Sequence, residues 1–136
     1  METKTLLWLD DIRDPLSSEV DWLSYSPILK PYQVIWVKSY QEFTQYIKQN
    51  GLPTAICFDH DLGMEVALKA RAKGMSKRAS RKLKQVEKTG MDCAHYLVDY
   101  CLDHDLDLPL YNIQSANSVG KENIDGLLKG YIKFRG

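Results

Sequence analysis

Two short apolar runs in this chain each break off into carboxylates. Leu6-Leu7-Trp8-Leu9 is followed at once by Asp10-Asp11, and Thr54-Ala55-Ile56-Cys57-Phe58 by Asp59-His60-Asp61. Runs of this length and β-prone composition read as buried strands. Their abrupt ends deliver acid to the edge of the core. If the two strands are neighbours in a parallel sheet, four carboxylates converge in one crevice. Such a cluster is costly unless a cation or a proton offsets it.

The other elements fall into place around these strands. Gln33 to Val37 is β-branched and aromatic and reads as a further strand. Ser39 with Glu42 three residues on has a capping-box pattern, opening a helix from about Tyr40 to Gln49 that Asn50-Gly51 ends. Thr89-Gly90-Met91-Asp92 leads into a helix from about Cys93 to Asp103, with Ala94, Leu97, Val98, Cys101 and Leu102 facing inward. Leu110 to Ile113 is a fourth strand, followed by Gln114-Ser115-Ala116-Asn117. A last helix is expected over about Lys121 to Lys129, leaving Tyr131-Ile132-Lys133-Phe134 as a tail able to add a short edge strand. The segment from Asp10 to Lys30 is polar loop, with a helical turn around Glu19 to Leu23. Strands alternating with helices imply one α/β domain over 1–136 with a mostly parallel sheet of four or five strands. The polar tips then lie at the carboxyl ends of the strands, where open α/β sheets bind ligands.

Charge narrows the partners. The 136 residues have a net charge of zero, but the average conceals a block. Between Met64 and Lys88 stand nine basic residues (Lys69, Arg71, Lys73, Lys77, Arg78, Arg81, Lys82, Lys84 and Lys88) against Glu65 and Glu87. That stretch carries +7 and the rest of the chain −7. It reads as a basic insertion after the third strand, helical or partly disordered, projecting from the body. It suits a solvated arm, a nucleic-acid contact through residues 69–88, or a lid over an anionic substrate. It holds no aromatic residue, which argues against base stacking. No run approaches the roughly 20 apolar residues needed to cross a bilayer. Residues 1–5 lack the features of a secretory signal, so no membrane partner is expected. Cys57, Cys93 and Cys101 are odd in number and lack CxxC spacing, as reduced thiols of a cytoplasmic protein would.

The residues at the tips have definite chemistry. Asp10, Asp11, Asp59 and Asp61 are hard oxygen ligands suited to Mg²⁺ or Mn²⁺. The alternative is that they cap helices or sit solvated in loops. Arg13 offers a fork for a phosphate oxygen, or else a salt bridge to Asp10, Asp14 or Asp61. His60 could donate a proton to a leaving oxygen or bind phosphate, or hydrogen-bond structurally. Gly63 fits a tight turn at the end of the motif. Thr89 and Asp92 read as a capping box, beside a helix N-terminus able to meet an anion. Gln114, Ser115 and Asn117 follow the fourth strand and could hold a phosphate, though Ser and Asn are also ordinary turn residues.

At these residues the chain resembles the cyclic-phosphate processing receiver-like domain family, related to response-regulator receivers. The matching pieces are Leu7 to Pro15, Phe58-Asp59-His60-Asp61-Leu62-Gly63, Thr89 to Ala94 and Gln114 to Gly120, in the family's order and over nearly the whole chain. The resemblance implies a receiver-like (flavodoxin-like) three-layer sandwich, a metal-dependent acidic pocket, and hydrolysis of a cyclic phosphate on a nucleotide or RNA end. In that scheme His60, Asp59 and Arg13 act in catalysis, and Arg13, Gln114, Ser115, Asn117 and Thr89 hold phosphate. The family usually has His-Ser-x-Asn after the fourth strand; here the first position is Gln114. Two rival functions follow. One is a non-catalytic nucleotide or nucleic-acid binder. The other is a receiver-type phosphoacceptor at Asp59, with Lys133 imitating the lysine that true receivers carry after strand five.

Overall fold

The computed structural model describes residues 4–17, 19–30, 32–62, 64–86, 88–115 and 117–136; for 64–67, 81 and 83–86 it describes the backbone alone. Four strands form one sheet: β1 (Thr5–Leu9), β2 (Gln33–Val37), β3 (Ala55–Phe58) and β4 (Leu110–Ile113). Their order is β2-β1-β3-β4 and every pairing is parallel. Among the described residues five α-helices accompany them: α1 (Tyr40–Asn50), α2 (Met64–Ala72), α3 (Lys77–Val86), α4 (Gly90–His104) and α5 (Ser118–Arg135). The architecture is an α/β sandwich on a parallel sheet, as the alternation of strands and helices implied, and it agrees with the receiver-like fold that the resemblance implied.

Alternation along the strands divides the core between two faces. Leu7, Leu9, Ile56, Phe58 and Ile113 are buried on one face with Phe43 and Ile47 of α1, Leu97 and Cys101 of α4, and Ile124 and Leu128 of α5. Leu6, Trp8, Ala55 and Cys57 occupy the other, beneath Trp22, Leu23, Ile28 and Tyr32. The second face is therefore covered by the β1–β2 connection, whose described residues include a 3-10 turn, Trp22–Tyr25. Right-handed crossover explains the division. The step from β1 to β2 runs one way along the sheet and later steps run the other, so their connections must cover opposite faces.

The C-terminus departs from expectation. Tyr131 to Phe134 adds no edge strand; α5 runs unbroken to Arg135. Ile124, Leu128 and Tyr131 repeat at helical spacing and are all buried. The Tyr131 hydroxyl donates to Leu106 O at 2.6 Å, and Arg135 reaches Asp105 and Asp107 at 2.7 Å each. Tertiary partners thus extend the helix beyond Lys129, and Lys133 lies exposed upon it.

Residues 64–86 form two helices, α2 and α3, that pack chiefly against each other, with Ala70 and Ser80 buried. Gly63 lies outside the described residues. Cys57, Cys93 and Cys101 are buried free thiols. Among the described residues, no helix is long and apolar enough to cross a membrane.

Candidate metal centre

The sheet order reverses between β1 and β3, which opens a crevice beyond their carboxyl ends. Three strand tips are locked there by ladder bonds that run one residue past each strand. Asp10 N–H donates to Val37 O at 3.1 Å, Asp59 N–H to Leu9 O at 2.9 Å, and Gln114 N–H to Phe58 O at 2.9 Å. The ladder leaves Asp10, Asp11 and Asp59 almost wholly buried, at 0, 3 and 5% exposure. One carboxylate oxygen from each lies within 4.8 Å of the others. Asp61 is outside this trio.

Such crowding has an electrostatic consequence. The Asp59 carboxyl is pushed up from 3.8 to about 7, first by burial and then by the charge of Asp10, with a further push from Asp11; Arg13 pulls the other way. Arg13 Nη1 donates to Asp10 Oδ2 at 3.3 Å and to Gln114 O at 3.0 Å, and lies 3.9 Å from Asp59 Oδ1. Its guanidinium carbon is 5.3 Å from the centre of a Trp22 ring, a cation–π contact. One guanidinium against three carboxylates leaves an excess of negative charge in an oxygen-only donor set. That set fits a hard divalent cation such as Mg²⁺ or Mn²⁺.

The turn that aims these groups is built locally. Asp10 Oδ1 accepts from Ile12 N–H at 3.1 Å and Arg13 N–H at 3.0 Å, folding the chain back over its own strand end. Two indoles brace it: Trp8 Nε1 donates to Arg13 O at 3.0 Å, and Trp36 Nε1 to Asp10 O at 2.7 Å. Sequence reasoning did not assign these tryptophans to the site. Their signal was the indole N–H, which needs a partner when buried.

A second group of side chains forms the rim. His60 Nδ1 is 2.9 Å from Asp61 Oδ1, and Asn117 Nδ2 donates to the same oxygen at 3.4 Å. Asn117 also caps α5, its Oδ1 accepting from Gly120 N–H at 2.9 Å, while Ser115 Oγ accepts from Asn117 N–H at 3.1 Å. Ser115 and Asn117 therefore do ordinary turn chemistry while Asn117 also faces Asp61. Thr89 forms the expected capping box: its N–H donates to Asp92 Oδ2 at 2.8 Å and its hydroxyl at 3.4 Å. Gln114 is 7% exposed; its Nε2 donates to Leu9 O at 3.0 Å, and its Oε1 has no hydrogen-bond partner among the described residues.

Two glycines, quoted in the sequence only as parts of larger motifs, set how closely the helices approach. A Cβ on Gly90 would lie 1.9 Å from Asp59 O. That contact lets Gly90 N–H reach His60 O at 2.7 Å. A Cβ on Gly120 would lie 2.4 Å from His60 Cγ. The β3 tip is thus clamped between the first turns of α4 and α5: at Gly90 only hydrogen fits against backbone, and at Gly120 a Cβ would force the His60 ring to move.

A cavity of about 440 Å³ opens at the other end of β4, lined by residues including Leu108, Tyr111 and Ile132. Its charged residues Asp107 and Arg135 are paired with each other. Convergent acid, not cavity size, marks the site. A family model described as "Cyclic-phosphate processing Receiver domain" matches residues 5–130. Comparison with curated proteins and with solved structures found no match.

Proposed function

We propose that this chain, which belongs to the cyclic-phosphate processing receiver domain family, is a metal-dependent phosphoesterase that opens a cyclic phosphate on a nucleotide or RNA end. The observation that carries this reading is the convergence of three buried carboxylates within 4.8 Å at the sheet's switch point. Asp10, Asp11 and Asp59 would hold Mg²⁺ or Mn²⁺, which when bound polarises a phosphoryl oxygen and acidifies water.

The chain's own residues supply the remainder. Arg13 is already fixed by Asp10 and Gln114 O, and offers its other N–H groups to a phosphate oxygen. Asn117 and Ser115 border the same opening. With Nδ1 held by Asp61, His60 keeps Nε2 for substrate. In the reaction a water oxygen bonds to phosphorus and one ring P–O bond breaks. The departing ribose oxygen takes a proton from His60, and the attacking water returns one. The sum is addition of one water, giving a phosphomonoester and a free hydroxyl. Asp61 orients the imidazole, and Thr89 serves through the helix it caps.

Purified protein with Mn²⁺ should turn over a 2′,3′- or 3′,5′-cyclic nucleotide, and Asp59→Asn should abolish this. Turnover that persists in EDTA, or in the variant, refutes the mechanism. Gln114 standing where the family carries histidine favours one second reading, a non-catalytic nucleotide binder, which predicts saturable affinity without turnover.

A further inference from the structure

We infer that the α2–α3 pair is a phosphate-gripping arm, and that the site's substrate is the 3′ end of an RNA chain closed by a 2′,3′-cyclic phosphate rather than a free nucleotide. The inference rests on the cyclic-phosphate reading above and deepens it.

Both roots of the arm lie at the site. The chain enters it directly after Asp61-Leu62 and returns at Thr89-Gly90, where Gly90 N–H bonds His60 O at 2.7 Å. Lys88 is anchored there too, its ammonium 4.5 Å from the centre of the Tyr40 ring. The arm's described basic side chains face water: Lys69, Arg71, Lys73, Lys77, Arg78, Lys82 and Lys88 are all exposed, while Ala70 and Ser80 are buried.

On α3 the charge is not placed to stabilise the helix. Arg78 and Lys82 stand four apart on α3, a spacing that sets like charges side by side and weakens a helix. An anionic partner would relieve that repulsion. The ten residues of α3 extend roughly 15 Å at 1.5 Å per residue, room for on the order of two to four phosphates of one strand. A cyclic mononucleotide has one phosphate, already committed to the carboxylate site, and none left to meet such an arm. No aromatic residue occurs between 64 and 88, so the grip falls on the backbone and is indifferent to base.

Chemistry then selects the ring. A 3′,5′-cyclic phosphate uses both oxygens through which a chain would continue. A 2′,3′-cyclic phosphate leaves the 5′ oxygen free, and it requires ribose. A ligand that ends in a cyclic phosphate yet presents further phosphates to α3 is therefore an RNA 3′ terminus.

The test compares the full chain with a triple variant, Lys77→Gln, Arg78→Gln and Lys82→Gln, none of them in the catalytic machinery. Probes are a fluorescent RNA octamer ending in a 2′,3′-cyclic phosphate, a 2′,3′-cyclic mononucleotide, and anionic phospholipid vesicles. Wild type should bind the octamer at least tenfold more tightly than the mononucleotide. The triple variant should lose about tenfold of octamer affinity at low salt. Its log K against log salt slope should be shallower by about 2, at roughly 0.7 per single-strand phosphate contact. Its turnover of the mononucleotide should be unchanged. Octamer affinity that the variant retains, or loss confined to vesicle binding, overturns the inference. Octamer affinity that falls in the variant while neither the octamer nor the mononucleotide is hydrolysed upholds the arm and sinks the phosphoesterase reading instead.

Discussion

Asp59 is the residue on which stability and function oppose each other most directly, and Asp59→Asn measures that opposition. The carboxyl is 5% exposed and titrates at about 7 instead of 3.8. At about 1.4 kcal/mol per pH unit, ionising it in the fold costs about 4 kcal/mol relative to the unfolded chain. The direction follows from proton counting. Below about pH 4 both states hold the proton, and Asp59 imposes no cost. Between about 4 and 7 the folded state binds more protons than the unfolded one, so stability falls as pH rises. Above about 7 the whole cost is present. In the metal-free protein the asparagine variant should match wild type near pH 4 and exceed it by about 2–4 kcal/mol at pH 8. Urea unfolding in EDTA across pH 4.0–8.5 reads this difference directly. Mn²⁺ at about 1,000 times Kd should reverse the order, because only wild type gains the linkage term, about 4.1 kcal/mol at that concentration. A variant no more stable than wild type at pH 8 in EDTA, or an advantage that ignores pH, would refute the reasoning.

Other perturbations separate the parts of the site. Asp10→Asn or Asp11→Asn should weaken Mn²⁺ binding by at least tenfold in titration calorimetry, whereas Asp61→Asn should change it by less than about threefold and lower kcat instead. Gly90→Ala drives a Cβ into the Asp59 carbonyl, backbone against backbone, and should destabilise the chain by about 3 kcal/mol in denaturant unfolding. Gly120→Ala meets a ring that can turn. It should fold with a smaller loss, displace the His60 resonances in NMR spectra, and reduce kcat more than it raises KM. Trp36→Phe removes the indole bond to Asp10 O and should cost about 1 kcal/mol, measured at pH 7 with metal absent.

The amino-acid sequence by itself determined the strands and the chemistry at their ends. The apolar residues 6–9 and 55–58 make strands because all of them are buried, and the acids that follow mark where each strand leaves the core. Local signals such as Ser39 before α1 and Thr89 with Asp92 before α4 were equally legible, since a cap is satisfied by residues three apart. Long-range contacts decided the rest. Tyr131 to Phe134 is β-prone in isolation, but Tyr131 meets Leu106 and Arg135 meets Asp105 and Asp107, residues no local pattern connects to it. Helix therefore prevailed over strand. Four carboxylates were legible as one cluster; the fold divided them, burying Asp10, Asp11 and Asp59 together and turning Asp61 toward His60. Adjacent residues beyond a strand end are free to point either way; at the β3 tip the packing of α4 and α5 through Gly90 and Gly120 holds Asp59 and His60, while at the β1 tip the turn at Asp10 does so locally.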